Sequence, residues 1–163
     1  DLIAHLRDIG FIAAAIDPAS TETAYFAGEC FLELVAFMGC APSIRFAPDD
    51  NSEHFTHIRL QQYDNVTALT GEHTRAPSCP HCKKAFTTWN TKPDSLTTKS
   101  LWTCEHCQQS AAPWDYQWRR SAGFARVFIE VTDIYPKEAL PQQALLEQLE
   151  HTTGIRWDYF YLF

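Results

Sequence analysis

The amino-acid sequence predicts an α+β protein that carries a metal-binding segment between its sheet-forming parts. Three observations predict this fold class: extended segments flank residues 75–115, residues 124–163 have the pattern of strand, helix and strand, and two Cys-x-x-Cys pairs lie in the middle. Hydrophobic residues make up 45% of the chain, as is typical of a folded globular protein. At 163 residues, we expect one main hydrophobic core with a small insertion.

The first part of the chain predicts helix, strand and helix. Residues 2–9 place apolar side chains at helical spacing, and Gly10 follows as a helix stop. Residues 11–16 form a short apolar run that indicates a buried strand. Residues 29–38 are predicted to be helical because their apolar side chains recur at i, i+3, i+4 and i+7, and Gly39 would end that helix. These apolar residues are Phe31, Leu34, Val35 and Met38.

The later segments predict most of the sheet. Residues 43–46 and 55–62 are short extended pieces around a polar turn. Residues 124–131 alternate apolar with other side chains, which is the period of a strand with one apolar face. Residues 141–151 predict a helix, because Pro141 suits a first turn and leucines recur on one side. Residues 155–163 alternate again and predict a terminal strand.

The strongest signal is a set of four cysteines in two pairs separated by 21 residues. A Cys-x-x-Cys turn directs two thiolates to one side, and two such turns can close on one tetrahedral ion. Four thiolates leave no open position for catalysis. We therefore expect one structural zinc ion per chain, with Cys79, Cys82, Cys104 and Cys107 as its ligands.

This segment resembles the zinc-ribbon proteins. The resemblance lies in Cys79-Pro80-x-Cys82-Lys83 and in Cys104-x-x-Cys107, with Trp102 just before the second pair, and it covers about residues 77–109. It implies a structural zinc module and identifies no parent family. Many ribbons and rubredoxins have glycine after the second cysteine, where this chain has Lys83 and Gln108, and this departure favours zinc over iron.

The domain prediction follows from the position of this segment. Residues 1–74 and 115–163 are expected to form one α+β body, a sandwich of sheet and helices, with residues 75–114 as an inserted zinc-ribbon module. The order of elements makes a ferredoxin-like arrangement the first expectation. His81 and His106 lie inside the two cysteine motifs, and we expect them on the surface because four cysteines already satisfy the ion.

Two binding functions compete at this stage. The leading hypothesis is a non-catalytic adaptor or regulatory protein that engages a protein partner through the ribbon, since the whole chain has a net charge of −7. The alternative is a nucleic-acid-binding protein, because residues 75–126 contain eight basic and three acidic residues. That segment also holds four tryptophans, which could stack on bases: Trp89, Trp102, Trp114 and Trp118.

A third hypothesis, a thiol or metal-transfer protein, depends on the two remaining cysteines. Cys30 falls in the first turn of the predicted helix, where a helix dipole favours a thiolate, although Glu29 opposes that effect. The helix would separate Cys30 from Cys40 by about 15 Å, too far for a disulfide. We expect both to be free thiols in a reducing compartment, the cytoplasm.

An enzymatic site is not favoured. His54 and His57 would point to opposite faces of an extended segment, and Glu29 and Glu33 fit a solvated helix face. No nucleophile elbow, phosphate loop or metalloprotease motif occurs in the sequence. No apolar run reaches the roughly 18 residues that cross a bilayer, and the first residues lack the features of a signal peptide, so no membrane partner is expected.

Overall fold

The computed structural model describes residues 1–20, 23–39, 44–49, 54–91, 101–135 and 137–162. Its main elements are α1 Leu2–Asp8, β1 Ile12–Ala15, β2 Thr23–Ala27, α2 Phe31–Leu34, β3 Val35–Phe37, β4 His57–Thr70, β5 Trp102–Thr103, β6 Ser110–Ala111, β7 Ala122–Val131, β8 Ala139–Pro141 and α3 Gln143–Thr153. Single 3₁₀ turns cover Trp89–Thr91 and Pro113–Asp115. Helices and mostly antiparallel sheets are mixed, so the fold is α+β, as predicted. The ferredoxin-like arrangement and the inserted module stay predictions.

The strands form one larger sheet and two small ones. The four-stranded sheet has the order β1-β2-β4-β7, and the two-stranded sheets are β3-β8 and β5-β6. In the larger sheet β2 runs antiparallel to both β1 and β4, and Tyr25 faces Ile58 in the β2–β4 register. Both of these residues are buried, so this register places two large apolar side chains in the core.

The chain divides into two compact units. The first unit comprises residues 1–61 and 127–158, and the second comprises residues 62–126 and 159–163. The first has a core of aliphatic and phenyl side chains that includes Leu6, Phe11, Phe31, Ile58, Leu145 and Leu149. The second has a core of aromatic rings and cysteines that includes Cys79, Phe86, Trp102, Cys104, Tyr116 and Trp118.

Four predicted elements are confirmed: the helix near residues 2–9, the strands near 11–16 and 124–131, and the helix near 141–151. α3 begins at Gln143 because Pro141 is the last residue of β8. It ends at Gly154 as predicted: the Gly154 N–H donates to the Glu150 carbonyl at 2.8 Å, and its φ of 68° turns the following chain away from the helix. No helix in the described parts of the chain is long and apolar enough to cross a membrane.

The helix predicted over residues 29–38 is wrong. Helix α2 ends at Leu34, and Val35–Phe37 form β3, which pairs with β8. The buried Val35 suits a strand as well as a helix, and pairing with β8 decides between them. The 15 Å separation of Cys30 and Cys40 therefore loses its basis, and Cys40 lies outside the described residues.

Two further strand predictions are wrong, and several strand segments were not predicted. Residues 44–46 and 155–162 have no regular strand, and residue 43 lies outside the described part. The strand predicted over residues 55–62 is β4, which begins at His57 and continues to Thr70. Strand β2 at Thr23–Ala27 had no prediction, since its five residues are too few to show a clear period.

Candidate metal centre

The first cysteine pair forms a tight turn closed by backbone hydrogen bonds. The N–H of Lys83 donates to the Cys79 carbonyl at 3.0 Å, and the N–H of Cys79 donates to the Lys84 carbonyl at 2.9 Å. The N–H of His81 points at Cys79 Sγ, 3.4 Å away. The turn therefore fixes the position of the Cys79 sulfur and supplies it with a hydrogen-bond donor.

The second pair repeats this geometry bond for bond. The N–H of Gln108 donates to the Cys104 carbonyl at 2.9 Å, and the N–H of Cys104 donates to the Gln109 carbonyl at 2.9 Å. The N–H of His106 lies 3.4 Å from Cys104 Sγ. The two turns thus form equivalent knuckles, each presenting its sulfur atoms in the same way.

The residues after the second cysteine of each knuckle occupy a backbone conformation that usually favours glycine. Lys83 has a φ of 63° and Gln108 a φ of 59°, the left-handed region that usually favours glycine. Lys83 Nζ donates to the Pro80 carbonyl at 2.7 Å, and Gln108 Nε2 donates to the Glu105 carbonyl at 3.1 Å. Each side chain thus satisfies a carbonyl of its own turn, which partly offsets the cost of the left-handed backbone.

The four cysteines that the sequence marks lie together. Cys79 Sγ is 3.8 Å from Cys107 Sγ, Cys82 Sγ is 3.7 Å from Cys104 Sγ, and all four sulfur atoms lie within 4.8 Å of one another. Sulfur atoms at ~2.3 Å from a tetrahedral zinc ion stand ~3.8 Å apart, so these distances match the edges of the tetrahedron. The four cysteines can hold one metal ion.

The electrostatics of this cluster favour a bound cation. The backbone N–H groups of Cys107 and His106 outweigh burial and lower the pKa of the Cys104 thiol to about 6. The Gln109 backbone favours the Cys107 thiolate, yet burial and the other sulfur atoms raise the pKa of the Cys107 thiol to about 11. Four adjacent thiols cannot all ionise alone, because each thiolate repels the next. A divalent cation removes that repulsion and allows four thiolates at neutral pH.

The two histidines of the knuckles are exposed, as predicted. His81 and His106 contribute backbone N–H groups to the sulfur atoms. Four thiolates in a tetrahedron saturate zinc, so an ion held this way keeps no position for water or substrate.

An aromatic core surrounds the cysteines. Trp102 and Phe86 are 1% exposed, with ring centroids 5.3 Å apart, and Tyr116 lies 5.3 Å from Trp102. The Tyr116 hydroxyl donates to the Trp102 carbonyl at 3.3 Å, and burial together with the nearby thiols raises its pKa to about 12. The rings therefore supply the apolar burial of a unit that has few aliphatic residues.

The tryptophans of the second unit fall into two groups. Trp102 and Trp118 are buried, and the Trp118 indole N–H donates to the Pro113 carbonyl at 2.8 Å. Trp89 is half-buried and meets Trp118 edge to face. Trp114 is 42% exposed, and Leu101 is 69% exposed. Two of the four rings proposed for base stacking are thus inaccessible, while an exposed tryptophan and leucine remain on this unit.

The two histidines His54 and His57 have different contacts. His54 is exposed, with Nδ1 3.8 Å from Asp133 Oδ1. His57 Nδ1 lies 2.9 Å from both the Phe55 carbonyl and the Thr132 hydroxyl. Across the described ranges, the four cysteines are the one group of three or more potential ligands close enough to share a metal ion.

Cys30, Glu29 and Glu33 lie outside the four-cysteine cluster, at or near helix α2. Cys30 is half-buried at the start of α2 and packs beside Gly10, with its N–H donating to the Gly10 carbonyl at 2.9 Å. It is a free cysteine. Glu29 and Glu33 are both exposed, which fits the solvated face expected of them.

Comparison with known proteins adds no relative. No protein-family model, no curated protein and no solved structure matches the chain. A functional proposal for this chain therefore depends on its own residues. The four-cysteine cluster, the aromatic core and the exposed side chains of the second unit supply the observations.

Proposed function

We propose that the chain is a non-catalytic zinc-binding adaptor or regulatory protein that engages a protein partner through its ribbon. The observation that carries the proposal is the cluster of Cys79, Cys82, Cys104 and Cys107, whose four sulfur atoms lie within 4.8 Å of one another and would saturate one tetrahedral metal ion. A metal ion with four protein ligands stabilises the fold and has no open coordination position for a substrate. Residues 75–114 then form the zinc-ribbon module of an α+β protein.

Zinc is proposed over iron on the chemistry of the knuckles. Both ions accept four thiolates, but zinc has no redox chemistry and no geometric preference beyond the tetrahedron. Zinc also suits the cytoplasm, the reducing compartment proposed here, where cysteines stay available as ligands. Elemental analysis of the purified protein tests this, with one zinc per chain expected and a colourless solution. Stoichiometric iron with visible thiolate charge-transfer bands would contradict it.

A protein partner is favoured by the side chains that remain exposed. Trp114 and Leu101 are large, apolar and accessible, and tryptophan is enriched among the residues that dominate protein–protein binding energies. The nucleic-acid alternative is weakened because Trp102 and Trp118 are buried in the core and cannot stack on bases. Four thiolates around a divalent ion also contribute two negative charges, which reduces the basic excess of residues 75–126.

The third hypothesis receives less support. A thiol-transfer or metal-transfer protein needs an accessible, activated sulfur atom. Cys30 is half-buried and packs beside Gly10, so its sulfur atom is only partly accessible. We therefore retain the adaptor as the proposal, with nucleic-acid binding as the outcome that would replace it.

A photo-crosslinking experiment tests the class of partner. A photoreactive phenylalanine at Trp114 is exposed to host-cell extract, and the matched control places it at Ile155, which is 63% exposed in the first unit. We expect a protease-sensitive adduct from position 114 that is weak from position 155 and lost in the Cys104→Ser variant. A nuclease-sensitive adduct would replace the adaptor with the nucleic-acid function.

A further inference from the structure

A tight turn at residues 118–121 of the second unit has an unusual composition. The N–H of Ser121 donates to the Trp118 carbonyl at 3.0 Å, and both central residues have positive φ, 51° for Arg119 and 61° for Arg120. Turns of this kind usually carry asparagine or glycine, because a larger side chain in this conformation crowds its own backbone. Such a turn persists only where contacts around it hold it in place.

Residues 159–161, here called the aromatic segment, supply contacts to one side of this turn. The Arg120 guanidinium carbon lies 3.7 Å from the centre of the Tyr159 ring, and Arg120 Nη1 donates to the Tyr159 carbonyl at 3.4 Å. The N–H of Tyr161 donates to the Arg120 carbonyl at 2.9 Å. One arginine thus binds both ends of the aromatic segment, through its side chain and through its backbone.

The middle residue of the aromatic segment lies against a glycine. The Phe160 ring is so close to the Gly123 backbone that a Cβ atom there would overlap it. Phe160 is half-buried, and Gly123 lies in β7, the strand that follows the turn. The Arg120 guanidinium, the Arg120 carbonyl and the absence of a Cβ at Gly123 therefore form a site that fits a Tyr-Phe-Tyr sequence. All of these residues belong to the second unit.

The other side of the turn is connected to the cysteine cluster. Gln117 precedes the turn, and its backbone exchanges two hydrogen bonds with the backbone of Ser78, at 2.9 and 3.0 Å. Ser78 comes directly before Cys79, the first cysteine of the cluster. Trp118 also packs against Trp102, in the same core that contains the buried Cys79. The turn thus links the aromatic segment to the first knuckle.

We propose that the aromatic segment is a releasable latch, and that its docking on the turn strengthens retention of the metal ion. Arg120 is exposed, and a cation–π contact in water is weak, so the latch can open without unfolding the core around Trp118. The strained turn then loses the contacts that hold it, and the Gln117–Ser78 hydrogen bonds and the Cys79 knuckle loosen with it. The inference is independent of the partner proposed above, because it concerns only how firmly the cysteines hold a metal ion.

Zinc loss to a chromogenic chelator, followed in the full-length, zinc-loaded chain, tests the proposal. The decisive variant is Arg120→Asn, because asparagine tolerates the left-handed backbone and removes the guanidinium. The matched control is Arg119→Asn, which makes the same exchange at the neighbouring position of the turn, also at positive φ. Arg119 is exposed, and its side chain makes no hydrogen bond, ion pair or ring contact within the described part of the chain.

A peptide added in trans separates a docking site from a general effect on stability. The variant with both Tyr159→Ala and Phe160→Ala empties the site, and a synthetic peptide with the sequence of residues 156–162 is added at about 1 mM, near the effective concentration of a tethered segment. A peptide with the same residues in scrambled order is the control. The matching peptide should slow zinc loss from this variant, and the scrambled peptide should not.

We expect Arg120→Asn to speed zinc loss about threefold to fivefold, and Arg119→Asn to change it by less than about twofold. Hydrogen exchange in residues 78–83 should rise in Arg120→Asn, and the Arg120→Asn effect should vanish in the Tyr159→Ala, Phe160→Ala background. Equal zinc loss in the two arginine variants overturns the proposal. It is also overturned if the matching peptide slows zinc loss no more than the scrambled one.

Discussion

The two units of the molecule form their cores from different kinds of side chain. The first buries aliphatic and phenyl side chains between helices and strands, with Leu6, Phe31 and Ile58 each at most 1% exposed. The second buries aromatic rings around four cysteines, and its strands β5 and β6 are only two residues long. Elements this short cannot enclose an aliphatic core, so a metal ion would supply the missing cross-links.

The difference extends to hydrogen bonding. The buried rings of the second unit carry polar groups, and Tyr116 and Trp118 each donate to a backbone carbonyl within that unit. Such contacts need fixed partners, whereas the apolar contacts of the first unit need only close packing. We therefore expect the second unit to respond sharply to loss of its cross-links and the first to respond in proportion to lost apolar area.

The largest expected effect is loss of the metal by Cys104→Ser. Structural zinc contributes on the order of 10 kcal/mol of binding free energy to a small domain, so losing one thiolate should unfold the second unit locally. Hydrogen exchange measured by mass spectrometry should then rise strongly in residues 77–91 and 101–111. Exchange in residues 2–15 and 143–153 of the first unit should change little.

Cys30→Ser is the matched control for that experiment. It introduces the same serine side chain, but in place of a half-buried cysteine of the first unit that lies outside the four-sulfur cluster. The zinc content should stay at one per chain, and protection of residues 77–91 should be unchanged. Uniform loss of protection along the chain in Cys104→Ser would show that the metal organises both units.

The second effect in size is the loss of apolar area from the first unit. Phe31 is 1% exposed, with its ring 5.5 Å from Phe11 and 5.7 Å from Phe46. Phe31→Ala should lower the free energy of unfolding by about 3–5 kcal/mol through lost transfer energy and a cavity. Chemical denaturation followed by circular dichroism measures the loss, while zinc content should persist under native conditions. Metal release before unfolding would contradict the independence of the two units.

Sequence reasoning succeeded where one signal dominated. The cysteine spacing located all four clustered sulfur atoms, because a knuckle is a local turn that needs few long-range contacts. The alternation of β7 and the leucine spacing of α3 were also sufficient, since each element is long enough to show its period. The closing Gly154 fixed the end of α3 through its left-handed φ.

Sequence reasoning failed where distant pairing decided the local structure. Residues 31–38 fit a helical period, yet β8 lies more than a hundred residues away and draws Val35–Phe37 into a strand. Residues 155–162 alternate as a strand would, yet no strand forms there, and the Phe160 ring lies against the backbone of Gly123. The turn at residues 118–121, where Arg119 and Arg120 have positive φ, carries no glycine or asparagine, so no turn pattern marked it.

The third prediction concerns this contact between Gly123 and Phe160. A Cβ atom at Gly123 would overlap the Phe160 ring, so Gly123→Ala should displace the C-terminal segment and cost about 1–3 kcal/mol. Gly39→Ala is the control, because a Cβ there meets nothing within 4 Å, and it should shift stability by at most about 0.5 kcal/mol. Thermal melts measure both, and the Gly123→Ala penalty should shrink in a Phe160→Ala background. An undiminished penalty would assign the cost to strand β7 itself.

The smallest effect tests the equivalence of the two knuckles. Lys83→Gly and Gln108→Gly would each remove a side chain that strains a left-handed backbone, which should raise the free energy of unfolding by about 1–2 kcal/mol. Each change also frees backbone entropy in the unfolded chain and removes an exposed hydrogen bond to the Pro80 or Glu105 carbonyl, which together offset about 1 kcal/mol. The net stabilisation should be about 0.5 kcal/mol in each knuckle, read as slower zinc loss to a competing chelator.

Lys84→Gly provides the contrast, since Lys84 is exposed and its φ is not positive. Glycine at position 84 would remove no backbone strain and should destabilise the folded chain by about 0.5–1 kcal/mol. Zinc loss should therefore become faster. Opposite signs at adjacent positions 83 and 84 would show that backbone conformation, and not lost lysine charge, controls the response. Changes of the same sign and similar size at 83 and 108 would show that the two knuckles respond alike. Faster zinc loss in both glycine variants would mean instead that the side-chain bonds to Pro80 and Glu105 outweigh the left-handed cost.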